Sequence, residues 1–110
     1  MPNLLYDEMS GHDAQVENVV IDPVAETVTV GLLSYETQQS AGRIPISIEF
    51  KMVTSISTVM SFKSLSINRG AGNVSYWEIA KKAGTSFFHL TGGTLAITSR
   101  AAPMLVFRSY

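Results

Sequence analysis

The side chains best suited to hold a metal ion lie near the start of the chain, at Asp7, Glu8, His12 and Asp13. Carboxylates and imidazole are ligands that divalent cations accept. Their spacing matches no established ligand motif, and a polar turn before the first strand is the ordinary explanation for them. The chain has no cysteine, which excludes thiolate metal sites, thiol nucleophiles and disulfides. We therefore expect neither a bound metal nor another cofactor.

The sequence contains no motif for nucleophilic catalysis or for phosphate binding. There is no GxSxG segment, in which a strained turn would expose a serine nucleophile. The glycine-rich loop Gly70-Ala71-Gly72 lacks the spacing with which dinucleotide and mononucleotide sites cradle phosphate. Five serines between positions 55 and 66 are typical of the solvent face of strands. The chain is predicted to be non-enzymatic, with no catalytic residues.

The clearest local pattern is FFHLT-GG-TLAIT at residues 87–98, which predicts a hairpin closed at Gly92-Gly93 because primed turns need the positive φ that glycine adopts. Counting outward from this turn pairs Phe88 with Ile97. The following residues then share the buried face: Phe88, Leu90, Leu95 and Ile97. The opposite face carries Phe87, His89, Thr91, Thr94 and Thr98.

A phenylalanine on the outer face of a sheet indicates a covered surface. The cover could be another element of this chain, a partner protein or a second copy, or the ring could stand in solvent as single apolar residues often do. Phe87, His89 and Thr98 are therefore the predicted partner interface.

A second set of residues, Arg69, Trp77, Lys81 and Lys82, could form a ligand loop, because small β-domains stack bases on aromatic rings flanked by positive charge. The competing interpretation makes Trp77 a core residue, since tryptophan is usually largely buried. The net charge of −1 and the scattered positions of lysine and arginine argue against binding of nucleic acid. Binding of a small ligand or a single-stranded nucleic acid stays the alternative to a protein partner.

Charge is distributed unevenly along the chain. Residues 1–42 contain seven acids and no base, whereas residues 43–110 contain all eight bases and two acids. Such asymmetry either marks a surface for a charged partner or disappears when acidic and basic strands neutralise each other in one fold. The second interpretation is favoured because the bases do not cluster.

Period-two alternation predicts the strands. Residues 15–21 and 27–33 form a hairpin that sets Val20 opposite Val28 and Val16 opposite Leu32, and Gly31 indicates a bulge or a close approach. The next strand points one set of side chains inward: Ile44, Ile46, Ile48, Phe50 and Met52.

Two segments are less regular. Residues 53–67 are rich in serine, threonine and β-branched residues, which favours extended structure. Ser75 and Glu78 have the spacing of a capping box, so a helix of about two turns at 76–83 is one interpretation of this segment, with strand and loop as the alternatives.

These elements predict an all-β protein, a single antiparallel β-sandwich or small barrel of six to seven strands with at most one short helix, in one domain over residues 1–110. Hydrophobic residues make up 45% of the chain and charged residues 15%, so a core can form. The apolar runs are too short for a membrane helix, and residues 1–13 lack the basic and apolar regions of a secretory signal. We expect a cytoplasmic location and no membrane contact.

Several short stretches carry a resemblance: Gly11-His12-Asp13-Ala14, the strand ending near Asp22, Phe50–Val53, Gly72–Trp77 and Leu90–Ile97. Together they span most of the chain, which resembles small bacterial all-β domains. Many of those domains are uncharacterised, and some are similar to immunity proteins of bacterial toxin systems. The resemblance implies binding and blocking a toxin, with no catalytic residues to carry over. We expect a protein-interaction module that binds a partner protein or itself, as a homo-oligomer.

Overall fold

Alternating apolar and polar residues form eight β-strands in the computed structural model, which describes residues 11–12, 14–35, 42–60 and 73–107. The strands are β1 (Ala14–Asp22), β2 (Thr27–Tyr35), β3 (Arg43–Phe50), β4 (Val53–Met60), β5 (Asn73–Glu78), β6 (Gly84–Leu90), β7 (Gly93–Ser99) and β8 (Met104–Phe107). No helix occurs within these described ranges. The all-β class is confirmed, with one strand more than the sequence indicates.

All eight strands belong to one antiparallel sheet in the order β4-β7-β6-β5-β1-β2-β3-β8. β1 and β5 meet at its centre, where, among the described residues, Ala14 pairs with Val74 and Gln15 with Asn73. This ladder joins two four-stranded halves, β4-β7-β6-β5 and β1-β2-β3-β8.

The two halves pack against each other. Phe50 on β3 and Phe88 on β6 are four strand positions apart, which in a flat sheet is about 19 Å. Their ring centroids are 6.2 Å apart, in an edge-to-face contact. The sheet therefore folds over onto itself, in the manner of a β-sandwich, and it is not closed into a barrel.

The core lies between the two halves and is built from the inward residues of both. Its buried apolar members are Ala14, Val28, Val30, Leu32, Ile46, Ile48, Phe50, Val74, Trp77, Phe88, Leu90, Leu95 and Ile97. The inward row of β3 is confirmed as far as Phe50. Met52 is an exception, because β3 ends at Phe50 and Met52 adopts a left-handed φ of 55° that turns it toward solvent.

The β1–β2 hairpin has a tighter turn than its sequence indicates. Residues 23–26 form the turn, and Asp22 Oδ1 accepts hydrogen bonds from the backbone N–H groups of Val24 and Ala25 at 3.1 and 3.0 Å. An aspartate bonded to the backbone after it in this way stabilises a tight turn. Asp22 thus pairs with Thr27, and the predicted five-residue loop is wrong.

A register shift between Val16 and Asn18 changes which β1 residues face inward. Val16 lies opposite Leu32, as predicted, but beyond the shift Val28 lies opposite Ile21 instead of Val20. Val20 is therefore exposed, and the prediction that it belongs to the core is wrong. A β-bulge has this effect because an extra residue in one strand reverses the inward and outward positions that follow.

Gly31 confirms the predicted close approach. A Cβ placed there would lie 2.5 Å from Asn18 Oδ1, so the absent side chain makes room for Asn18 just past the register shift.

The helical interpretation of residues 76–83 does not hold, because residues 73–78 form β5 and residues 79–83 are a connection. Tertiary packing outweighs the capping-box spacing of Ser75 and Glu78. In the strand, the side chains of Val74 and Trp77 are buried in the core, and β5 forms backbone hydrogen bonds with β6. A two-turn helix contributes little without packing of its own. Of the segment predicted to be extended, residues 53–60 form β4, and residues 61–67 lie outside the described residues.

The β6–β7 hairpin turns at Thr91-Gly92, and Leu90 pairs with Gly93. Phe88 consequently lies opposite Leu95 instead of Ile97. This slip of two positions preserves the face of every side chain, because side chains alternate with a period of two. The predicted division between buried and outer faces is therefore confirmed.

Gly11 closes one side of the core. It has a φ of 77°, and a Cβ there would lie 2.4 Å from the indole of Trp77. The Gly11 carbonyl also accepts a 3.0 Å hydrogen bond from the N–H of Ala14, at the start of β1. Only glycine fits a position that combines left-handed backbone with direct contact to a buried ring.

We expect Gly11→Ala to lower the free energy of unfolding by about 2–3 kcal/mol, from left-handed strain and overpacking against Trp77. Gly42→Ala is the matched control, because a Cβ there meets no atom within 4 Å. Urea denaturation of both variants measures the difference. Equal stabilities of the two variants would show that Gly11 does not constrain the position of Trp77.

Candidate functional site

The outward side chains of β5 and β6 form a cluster on the surface of the sheet. Its members are Tyr76 and Glu78 on β5 and Phe87 and His89 on β6, and we call it the β5–β6 outer face. Tyr76 is directly opposite His89, and Glu78 is directly opposite Phe87. Tyr76 is 49% exposed and Phe87 is 39% exposed, so both rings are available to a binding partner.

Three rings of this face lie nearly parallel. The His89 imidazole stacks on Tyr76 with a centroid distance of 4.3 Å and an interplanar angle of 23°. It also lies parallel to Phe87, with a centroid distance of 6.0 Å and an angle of 17°. The first contact joins directly opposed residues of paired strands, and the second joins residues two positions apart on β6. The rings therefore form a preorganised row.

Glu78 fixes the imidazole in this row. Its Oε2 lies 2.7 Å from His89 Nε2, and the contact becomes an ion pair when the ring is protonated. Because the carboxylate side chain is 59% exposed, water screens the interaction and its contribution to stability is small. Its main effect is geometric: it holds the orientation of His89 and places a negative charge beside Phe87.

A histidine held by a carboxylate can serve as a catalytic base when a nucleophile lies within hydrogen-bond reach. Across the described ranges, the hydrogen bond that His89 makes is the one to Glu78. The same ranges contain no group of three or more histidine, cysteine, aspartate or glutamate residues that could hold a metal ion.

Thr98 lies on the same side of the sheet, on β7. Its hydroxyl is 2.8 Å from that of Thr85, the residue opposite it on β6. Thr94 and Ala96 continue this side along β7, opposite His89 and Phe87. The predicted interface residues Phe87, His89 and Thr98 thus share one face, with the aromatic row at one side of a surface of small residues.

The structure does not gather the second predicted set around an exposed ring. Trp77 is 7% exposed and packs edge to face on Phe88 with a centroid distance of 6.0 Å, so it is a core residue. Lys81 and Lys82 are exposed in the connection between β5 and β6. Arg69 lies outside the described residues.

Of the four residues considered for a metal, only His12 is described, and its Nδ1 lies 3.2 Å from the Ser75 carbonyl oxygen. Asp7, Glu8 and Asp13 lie outside the described residues.

Tyr76 and Glu78 were not placed on the outer face with Phe87 and His89 by the sequence pattern. The helical interpretation of residues 76–83 concealed the strand alternation in which Trp77 points inward and its two neighbours point outward. Reading residues 73–78 as a strand anchored by Trp77 would have placed both on the outer face.

Comparison with protein-family models, curated proteins and solved structures finds no match for this chain. Among the described residues there is also no helix with the length and apolar character needed to cross a membrane.

Two adjacent phenylalanines test the assignment of faces. Phe88→Ala should lower the free energy of unfolding by about 3–5 kcal/mol, because Phe88 is fully buried against Phe50 and Trp77. Phe87→Ala should cost less than about 1 kcal/mol, because its ring is partly in solvent. Denaturant titration of both variants measures the contrast. Similar losses for both would contradict the inward and outward assignment on β6.

Proposed function

We propose that the protein is a non-enzymatic binding module that contacts a partner protein through the β5–β6 outer face. The supporting observation is the row of three stacked rings, partly exposed on a rigid sheet and oriented by Glu78. Contact residues on paired strands are held more firmly than residues on loops, so less conformational entropy is lost on binding.

The composition of the row suits a protein partner. Aromatic side chains contribute large contact areas with few rotatable bonds and are enriched at the centres of protein interfaces. Tyr76 adds a hydroxyl and Glu78 an exposed carboxylate beside the apolar rings. A complementary surface would present an apolar patch next to a lysine or arginine, which would pair with Glu78 as the rings become buried.

Single-stranded nucleic acid is a poorer fit to the same residues. Bases stack on the open faces of aromatic rings, whereas Tyr76 and His89 stack on each other at 4.3 Å. Trp77 is buried, and the charge of Glu78 opposes phosphate. Lys81 and Lys82 supply only a local positive charge, against a net charge of −1 for the whole chain.

The resemblance to immunity-type domains suggests the form that this function takes. In such a protein binding is itself the inhibition, because covering the active surface of a toxin blocks it without chemistry. The module then needs a stable, shape-complementary face and no catalytic group. The β5–β6 outer face supports this form of the proposal through its exposed rings and its ordered geometry.

We expect Phe87→Glu to reduce recovery of the partner at least about tenfold, because it replaces an apolar contact with a second carboxylate directly opposite Glu78, and like charges that lose water on association oppose binding. The measurement is affinity purification from the native source with and without nuclease treatment, with analysis of the eluates by mass spectrometry and for nucleic acid. Val20→Glu is the matched control, since it introduces the same charge at an exposed apolar residue of β1.

A partner that is lost with Phe87→Glu and retained with Val20→Glu supports the proposal. A partner that binds both variants as well as the unaltered protein contradicts it. A captured species that nuclease removes would favour nucleic acid instead.

A further inference from the structure

The edge strand β4 has a composition that is unusual for an unprotected position. It is the first strand in the order of the described sheet, and over Val53–Met60 it pairs with β7. Its sequence, VTSISTVM, contains no charged residue and no proline. Edge strands normally carry such residues because they prevent pairing with other chains, and the protective feature that β4 does have is the register shift between Val53 and Ser55 at its start.

The opposite edge of the sheet is protected in the usual way. β8 has only four residues and begins directly after Pro103, which cannot donate a backbone hydrogen bond. β4 is twice as long, and its side chains from Thr54 to Val59 are exposed apart from Ile56. The two edges therefore differ in their capacity to add a strand.

We propose that β4 pairs in antiparallel fashion with β4 of a second copy, continuing the sheet across a two-fold axis. The N–H of Val53, at the start of this edge, donates to the Glu26 carbonyl at 2.8 Å, so the backbone N–H and C=O groups of the residues after it supply the hydrogen bonds, as in other cases of strand addition. This goes beyond the proposed function, because it uses a different surface of the molecule.

The absence of charge on β4 favours a second copy as the occupant. Antiparallel pairing of β4 with itself opposes serine, threonine and aliphatic residues, so no like charges meet. A charged partner strand would find no complementary charge on this edge. Self-pairing also stops at the dimer, since it uses the β4 edge of both copies. The remaining edges of the described sheet are then the short β8 strands.

The symmetry of this pairing has a consequence for binding. A two-fold axis between antiparallel strands is perpendicular to the sheet, so both copies keep the same face on the same side. The two β5–β6 outer faces would then point in one direction, and the dimer would engage a repeated or surface-bound partner with two equivalent sites.

Introduction of a charge at Ser57 tests the pairing. Ser57 is exposed near the middle of β4, so in the dimer the two Ser57 side chains lie close to the axis. Ser57→Lys and Ser57→Glu should each raise the dimer dissociation constant at least about tenfold, because like charges then face each other. An equimolar mixture of the two variants should restore dimers. Analytical ultracentrifugation over a range of concentrations measures all three samples.

Met104→Lys, at an exposed position of the β8 edge, is the control and should dimerise like the unaltered protein. Thermal unfolding of each variant confirms that it is folded. An unaltered protein that stays monomeric at all concentrations overturns the proposal. Retention of the dimer in both Ser57 variants, or failure of their mixture to dimerise, also overturns it.

Discussion

The contact between the two halves of the sheet is the interaction on which the rest of the structure depends. Phe88 lies at its centre, touching Phe50 across the core and Trp77 on the neighbouring strand. Because side chains alternate along a strand, fixing Phe88 inward forces Phe87 and His89 outward. The aromatic row on the surface is thus a direct consequence of how the core is built.

The parts of the fold that depend on alternation alone could be predicted from the sequence. The inward row of β3 follows from its regular pattern, and the two faces of the β6–β7 hairpin are right even though Phe88 pairs two positions away from the prediction. Such predictions hold even when the register is wrong by two residues, since a slip of two changes the pairing partner of a residue but leaves its side chain on the same face of the sheet. The register shift after Val16 makes the corresponding prediction for β1 wrong, because one extra residue turns the side chain of Val20 to the opposite face.

Long-range pairing was the main feature that local patterns could not supply. The ladders β1–β5, β3–β8 and β4–β7 join strands that are far apart in the chain, and their register depends on packing across the whole core. A helix at residues 76–83 does not form for the same reason. The capping-box spacing favours it only locally, whereas the burial of Val74 and Trp77 depends on tertiary packing that requires a strand. Half of the candidate site, Phe87 and His89, was therefore accessible from sequence, and Tyr76 and Glu78 required the β5–β6 pairing.

Hydroxyl-radical footprinting of the free protein and of its complex, read by mass spectrometry, tests the central claim most directly. In the free protein, Tyr76, Phe87 and His89 should be oxidised and buried Trp77 should be protected. On complex formation, oxidation of those three side chains should fall, while exposed Met104 and Phe107 on β8 stay reactive. Protection confined to β8, with no change at Tyr76, Phe87 and His89, would contradict the assignment of the β5–β6 outer face as the binding surface.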